Sequence, residues 1–321
     1  MTLSLPWDRA GWRESVAVWI DESLAMLRVE ATAPVEHVRQ RPWAAIALIP
    51  TADGPLYFKA DPPSESFEPA LTQWLAQRRP DVIPDVLRID GERGWLLTRD
   101  AGTPLREHMA NPPDPTIWDD LLPLYAELQI ELCTSVDDLL SLGVPDKRTE
   151  KLAPGYGALL SRWAVAATAP SQEEIDELVD GVGETIPPSL AHEEFQDHNI
   201  LLRGDEPVLI DWAEAAVEHP FCGMVNTFSG LVDRWAFEPG ADDLLRLRDA
   251  YLEPWTKFAP LPQLIALFEL AYPLGMLCRA LSWDRLLTEL AESVRAEYTG
   301  FVPAWLEMAS EALEGKARLG E

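Results

Sequence analysis

Apolar residues recur along this chain at two spacings, and the spacing changes near residue 100. Trp12, Val16, Trp19, Ile20, Leu24 and Leu27 fall on one helical face, which predicts a helix over residues 8–28. Short β-rich blocks follow at Val35–Trp43, Ala44–Pro50 and Leu56-Tyr57-Phe58-Lys59, with Asp53-Gly54 as a turn. Ser64–Arg78 returns to helical spacing through Phe67, Leu71, Trp74 and Leu75. Two more strands, Ile83–Ile89 and Gly94–Thr98, flank the turn Asp90-Gly91-Glu92-Arg93. Beyond Asp100 the pattern is helical: Thr116–Leu140, Leu152–Ala167, Glu173–Ile186, Val225–Phe237, Ala241–Phe258, Leu261–Leu281 and Trp283–Leu313. Leu261–Leu281 is apolar almost all round, as a buried central helix would be. The expected fold class is α+β. A β-rich domain with a leading helix is expected at 1–99 and a helical one at 100–321.

One stretch breaks the helical run. Ser189-Leu190-Ala191 leads into His192 and the acids Glu193, Glu194 and Asp197. Asn199 opens the apolar block Ile200-Leu201-Leu202, and Arg203-Gly204-Asp205-Glu206-Pro207 reads as a turn. A second block, Val208-Leu209-Ile210, ends on Asp211. Such a hairpin brings the Asn199 amide oxygen and the Asp211 carboxylate together. Hard oxygen ligands in that number suit Mg²⁺, which completes its shell with water and phosphate.

These residues resemble the catalytic and metal loops of the kinase-like fold, and most closely those of the aminoglycoside phosphotransferase family of small-molecule kinases. That family carries H-G-D-x-x-x-x-N, an apolar hairpin and an Asp often followed by Trp. His192, Phe195, Asn199, Asp211 and Trp212 fit the pattern. Glu193 stands at the family's Gly and Glu194 at its catalytic Asp. The match runs from about Val35 to Pro220.

The resemblance implies a bilobal, protein-kinase-like fold: a small antiparallel β lobe and a larger helical lobe carrying the catalytic and metal loops. It implies ATP or GTP with Mg²⁺, and Asn199 and Asp211 as metal ligands. Glu194 would be the carboxylate base, in a loop braced by His192. Lys59 would bind phosphate oxygens and pair with a helix glutamate, Glu68, or Glu65 one turn earlier. No glycine-rich loop precedes Ala44, so Arg41, with Arg39, is the candidate for neutralising phosphate there. Thr98 and Asp100 stand at the implied nucleotide-binding hinge. The implied activity is transfer of the γ-phosphate to a hydroxyl of a small molecule. Because Glu193-Glu194 departs from the motif, a nucleotide-binding pseudokinase or an interaction protein is the alternative.

Composition narrows the partners. The chain has 321 residues, 47% of them hydrophobic, and 13 Trp, as expected of a packed globular protein. A net charge of −28 disfavours nucleic acid and anionic membrane surfaces. It suits a cationic small substrate as well as plain solubility. Cys133, Cys222 and Cys278 lie far apart and read as free thiols in a reducing, cytoplasmic setting. Early acids exclude a signal peptide, and no uncharged apolar run reaches the ~18 residues of a membrane span.

Overall fold

A computed structural model of the chain describes residues 5–108, 115–163, 168–235 and 240–315. The chain divides into two compact units. The first comprises Met1–Glu107, Asp197–Ala213 and Arg285–Tyr298; the second comprises His108–Gln196, Glu214–Asp284 and Thr299–Glu321.

The first unit is built on a five-stranded antiparallel sheet in the order β1-β2-β3-β5-β4. The strands are β1 (Glu36–Arg41), β2 (Ala44–Ile49), β3 (Leu56–Ala60), β4 (Val86–Asp90) and β5 (Trp95–Arg99). β3 alternates buried and half-buried positions, which puts Phe58 into the core and Lys59 on the other face. Helix α1 (Trp12–Leu27) lays Trp19 edge-on against Phe58 and Trp95. Gly11 at its N-cap and Arg28 at its C-cap are both left-handed, so the helix begins at Trp12 rather than at residue 8. Helix α2 (Glu68–Arg78) follows a single 3₁₀ turn at Pro63–Glu65, where the prolines delay the α-helix. A three-stranded sheet joins β6 (Thr103–Pro104), β8 (Ile200–Arg203) and β9 (Glu206–Leu209) in the order β6-β8-β9. The expected hairpin is thus present, with Ile200 opposite Leu209. Gly102 lies where a Cβ would come 2.1 Å from the Leu202 carbonyl oxygen, and its φ is +105°. Only glycine permits that approach.

The second unit is helical: α3 (Ile117–Leu132), α4 (Val136–Ser141), α5 (Thr149–Trp163), α6 (Gln172–Val182), α7 (Val225–Trp235), α8 (Asp242–Leu252), α9 (Leu261–Glu289) and α11 (Phe301–Leu313). The last residues of α9 and the short α10 (Glu292–Arg295) count with the first unit. A two-stranded ribbon pairs β7 (Ser189–Ala191) with β10 (Ala216–Glu218). The expected ends of two helices, at 164–167 and 236–237, lie outside the described residues, as does the expected loop at 111–114.

Three expected helices are interrupted: Thr116–Leu140 by a 3₁₀ turn at Cys133–Ser135, Ala241–Phe258 by 3₁₀ geometry from Glu253, and Trp283–Leu313 beyond Glu289. A single helix from Trp283 to Leu313 does not form; α9 runs through Trp283 to Glu289, and α11 starts at Phe301. No proline or glycine separates Leu281 from Trp283, so nothing stops the first helix there, whereas Gly300 stands immediately before the second. Of the most apolar window of α9, 72% is buried, as in a core helix.

Candidate active site

In the first unit, Lys59 is the centre. Its ammonium pairs with Glu68, lies 2.5 Å from Asp211 Oδ1 and 3.2 Å from Asp61 Oδ1. Burial opposes the charge, but Asp211, Asp61 and Glu68 together hold Lys59 protonated well above the ordinary lysine range. Burial and the neighbouring Glu68 push Asp61 far up, against the pull of Lys59. Glu68 does two tasks: its second oxygen accepts the Trp212 amide N–H at 2.8 Å. That bond ties α2 to the end of the hairpin, directly after Asp211. Asp211 itself has φ +65°, a left-handed turn that costs a non-glycine residue about 1–2 kcal/mol. Strain of that kind collects at functional sites.

Asn199 is buried, and its carbonyl accepts the Ile210 N–H at 3.0 Å. The ladder of the hairpin therefore holds Asn199 and Asp211 at one mouth. Among the described residues no cluster of three or more His, Cys, Asp or Glu could hold a metal. An Asn–Asp pair is an open oxygen site, which fits Mg²⁺ that keeps water and phosphate ligands.

Lys59 and Asp211 line a cavity of about 470 Å³ in the first unit. Ile46, Leu96, Leu201 and Ile210 supply apolar walls. Thr98 and Asp100 lie on its lining, and the Asp100 carboxylate accepts the Gly102 N–H at 3.1 Å. Arg39 lines the cavity; Arg41 is exposed and does not line it. Glu65, the alternative partner for Lys59, pairs instead with Arg285 at 2.8 Å.

The second unit holds the acidic loop. Phe195 stacks on Tyr125 at 4.1 Å and meets Trp118 edge-on, anchoring the loop to α3. His192 is buried; its amide N–H donates to the Tyr125 hydroxyl at 2.8 Å, and its Nδ1 accepts the Glu194 N–H at 3.3 Å. An accepting Nδ1 places the ring proton on Nε2, so the imidazole braces the turn. Glu193 keeps a glycine-like φ of +59°. Its side chain is buried and pairs with Lys147, with Ser282 Oγ at 2.6 Å and with Arg279 Nη1 at 3.2 Å. Burial opposes its ionisation, yet Lys147 and Arg279 hold it below the usual carboxylate range. Glu194 Oε1 accepts from Arg279 Nη2 and from Asn226 Nδ2, each at 2.8 Å.

Sequence reasoning missed Asp61, Lys147, Asn226 and Arg279. Two left a signal. Asp61 follows Lys59 by two positions, the period of one strand face. Arg279 is a lone charge in the apolar run Leu274–Ala280. Lys147 and Asn226 left none.

A family model for the phosphotransferase enzyme family matches residues 48–262. Solved structures agree in fold. A Plasmodium vivax ethanolamine kinase is 14% identical with a TM-score of 0.59, over 87% of this chain and 82% of that one. A point mutant of aminoglycoside 2′-phosphotransferase-IIIa, solved as its GDP complex, is 15% identical with a TM-score of 0.55, over 93% and 97%. A streptomycin–ATP ternary complex of an aminoglycoside 2″-phosphotransferase-IIa is 14% identical with a TM-score of 0.52, over 92% and 97%. No curated protein sequence matches the chain significantly.

Proposed function

The chain belongs to the phosphotransferase enzyme family, and from that premise we propose that it transfers the γ-phosphate of ATP or GTP to a hydroxyl of a small molecule. The observation that carries this reading is the Lys59 ammonium held by Glu68 and Asp211 on a cavity of nucleotide-binding size. Phosphoryl transfer needs a cation on phosphate oxygens, a bridging metal and a carboxylate that positions the attacking hydroxyl. Lys59 is the cation. Asn199 and Asp211 would hold Mg²⁺, which neutralises charge between the phosphates when bound. Glu194 is the carboxylate, oriented through Arg279 and Asn226. Thr98 and Asp100 line the same cavity and would border the nucleoside there.

The acceptor is a small hydroxylated compound; the acidic chain favours a cationic one. The ethanolamine kinase is named for a small amino alcohol, and the streptomycin complex holds an aminoglycoside together with ATP; both are similar to this chain in fold. Three reduced thiols and a nucleotide donor fit a cytoplasmic enzyme.

A second reading rests on Glu193-Glu194 in place of the family's Gly-Asp: a nucleotide-binding protein without turnover. One experiment separates the two. ADP or GDP release is followed with Mg²⁺-nucleotide against a library of amino sugars, amino alcohols and sugars. Release that depends on one acceptor, and on Asp211, supports the kinase. Nucleotide binding with background release across the library supports the second reading.

A further inference from the structure

Arg279 is an expensive residue to place. It lies on apolar α9 with its side chain 4% exposed, and it is surrounded by three carboxylates. Nη1 meets Glu193 Oε2 at 3.2 Å and Glu214 Oε2 at 2.5 Å; Nη2 meets Glu194 Oε1 at 2.8 Å. Its carbon centre also lies over the Trp305 ring, 5.9 Å from the centroid. Burial disfavours the cation, but Glu214, Glu194 and Glu193 hold it protonated above the ordinary arginine range. A buried ion of this kind costs several kcal/mol to desolvate. Core packing alone does not call for it: Glu193 already has Lys147 and Ser282.

The fork divides its work. One nitrogen joins the buried Glu193–Lys147 cluster, which is fixed by the Cys278 carbonyl and Ser282. The other takes Glu194, which is 21% exposed where Glu193 is buried. Glu has one more rotatable bond than Asp. Arg279 and Asn226 both bind Oε1 and so remove that freedom. We infer that Arg279 is a positioning residue, which aims the Glu194 carboxylate at the acceptor hydroxyl by linking it to the buried Glu193–Lys147 pair. The inference rests on the reading of Glu194 as the base.

The charged groups facing this site are Glu193, Glu214 and Lys147, with Glu218 beside Lys147 and Glu193 in the same buried cluster. With the guanidinium gone, Glu194 faces two carboxylates and takes up a proton more readily. The acidic limb of kcat/KM then moves to higher pH.

The test uses the full chain. Arg279→Lys keeps the buried cation but replaces a two-nitrogen fork by one ammonium. Arg279→Gln removes the charge. Arg279→Lys is expected to fold, to keep the KM for Mg²⁺-nucleotide, and to lose roughly tenfold in kcat, part of the ~100-fold that a misplacement of about 1 Å costs. Arg279→Gln is expected to lose more and to shift the acidic limb upward. Wild-type kcat and an unshifted limb in a folded Arg279→Gln would overturn the inference, as would unchanged kcat in Arg279→Lys. A wild-type protein that binds nucleotide and turns nothing over fails the functional reading instead. Hydrogen exchange of residues 192–196 then reads the link by itself: faster exchange in Arg279→Lys shows that Arg279 fixes the loop that carries Glu194, and unchanged exchange overturns the inference.

Discussion

Lys59 Nζ lies 2.5 Å from Asp211 Oδ1 across 152 residues of sequence. A strand lysine and a hairpin aspartate meet only if the 197–213 segment folds into the first unit, as it does. Glu68 completes the arrangement by pairing with Lys59 and accepting the Trp212 N–H. The three residues thus form one electrostatic unit whose parts are separated in sequence but not in space.

A nucleotide that uses this unit must stabilise the folded state. At a hundred times its Kd, Mg²⁺-ATP is expected to add about 2.7 kcal/mol, a few degrees in Tm. Asp211→Ala should abolish that shift. It should barely change the ligand-free Tm, because Glu68 still pairs with Lys59. Calorimetry with and without Mg²⁺-ATP checks both. An undiminished shift in Asp211→Ala would place the nucleotide's metal elsewhere.

His219 makes stability depend on pH. Its Nε2 is buried without a partner among the described residues, and its Nδ1 accepts the Phe221 N–H at 3.3 Å. Burial lowers its pKa from 6.5 to about 4. The unfolded chain therefore binds the proton first, and stability is lost as pH falls from the unfolded value to the folded one. The loss from this group is at most roughly 3 kcal/mol between pH 7 and 4. Glu218, raised by burial, acts in the opposite direction, gaining stability on acidification. The comparison must therefore be made on one background. His219→Asn keeps an acceptor for Phe221 and cannot be charged. Its urea midpoint should fall less than that of wild type between pH 7 and 5, and parallel curves would refute the assignment.

Glu193 shows how far a motif can depart while its backbone does not. Its φ of +59° is one that glycine adopts freely. Glu193→Gly relieves about 1–2 kcal/mol of that strain. It also leaves Lys147 buried without its carboxylate, a loss on the order of 3–5 kcal/mol. Net destabilisation by roughly 2 kcal/mol is expected, read from the denaturant midpoint. A stabilised Glu193→Gly would mean that strain outweighs the ion pair.

The sequence disclosed those parts of the molecule that have a local cause. The apolar run Leu56-Tyr57-Phe58 after the Asp53-Gly54 turn gives the strand that carries Lys59, and the Gly-Asp turn at Gly204-Asp205 gives the hairpin. Amphipathic spacing gave α2, hence Glu68 as a partner within one helix of Lys59. Arg41 misled because a β1 residue two positions from Arg39 shares its face, yet only Arg39 lines the cavity. The Glu193–Lys147–Arg279 cluster had no local cause at all. It joins a loop, a break between helices and the middle of α9. Only tertiary packing brings them together, and a lone arginine in an apolar helix was its single trace.

Glu194→Asp restores the family's residue type but withdraws the carboxylate by one methylene, roughly 1.5 Å. In this chain the donors are set for the longer side chain: Arg279 Nη2 and Asn226 Nδ2 both meet Oε1 at 2.8 Å. The shorter side chain could not keep both bonds without moving a loop that Phe195 pins by stacking on Tyr125. The substitution should therefore lower kcat by about tenfold to a hundredfold, with the nucleotide KM unchanged, since Lys59 and Asp211 belong to the other unit. Arg279 would be left with fewer partners, so the variant should also lose stability by about 1 kcal/mol. Steady-state ADP release with the best acceptor from the library measures the first, and urea unfolding the second. A faster Glu194→Asp enzyme would show that the donors do not set the carboxylate's position, and that the longer side chain impairs the reaction.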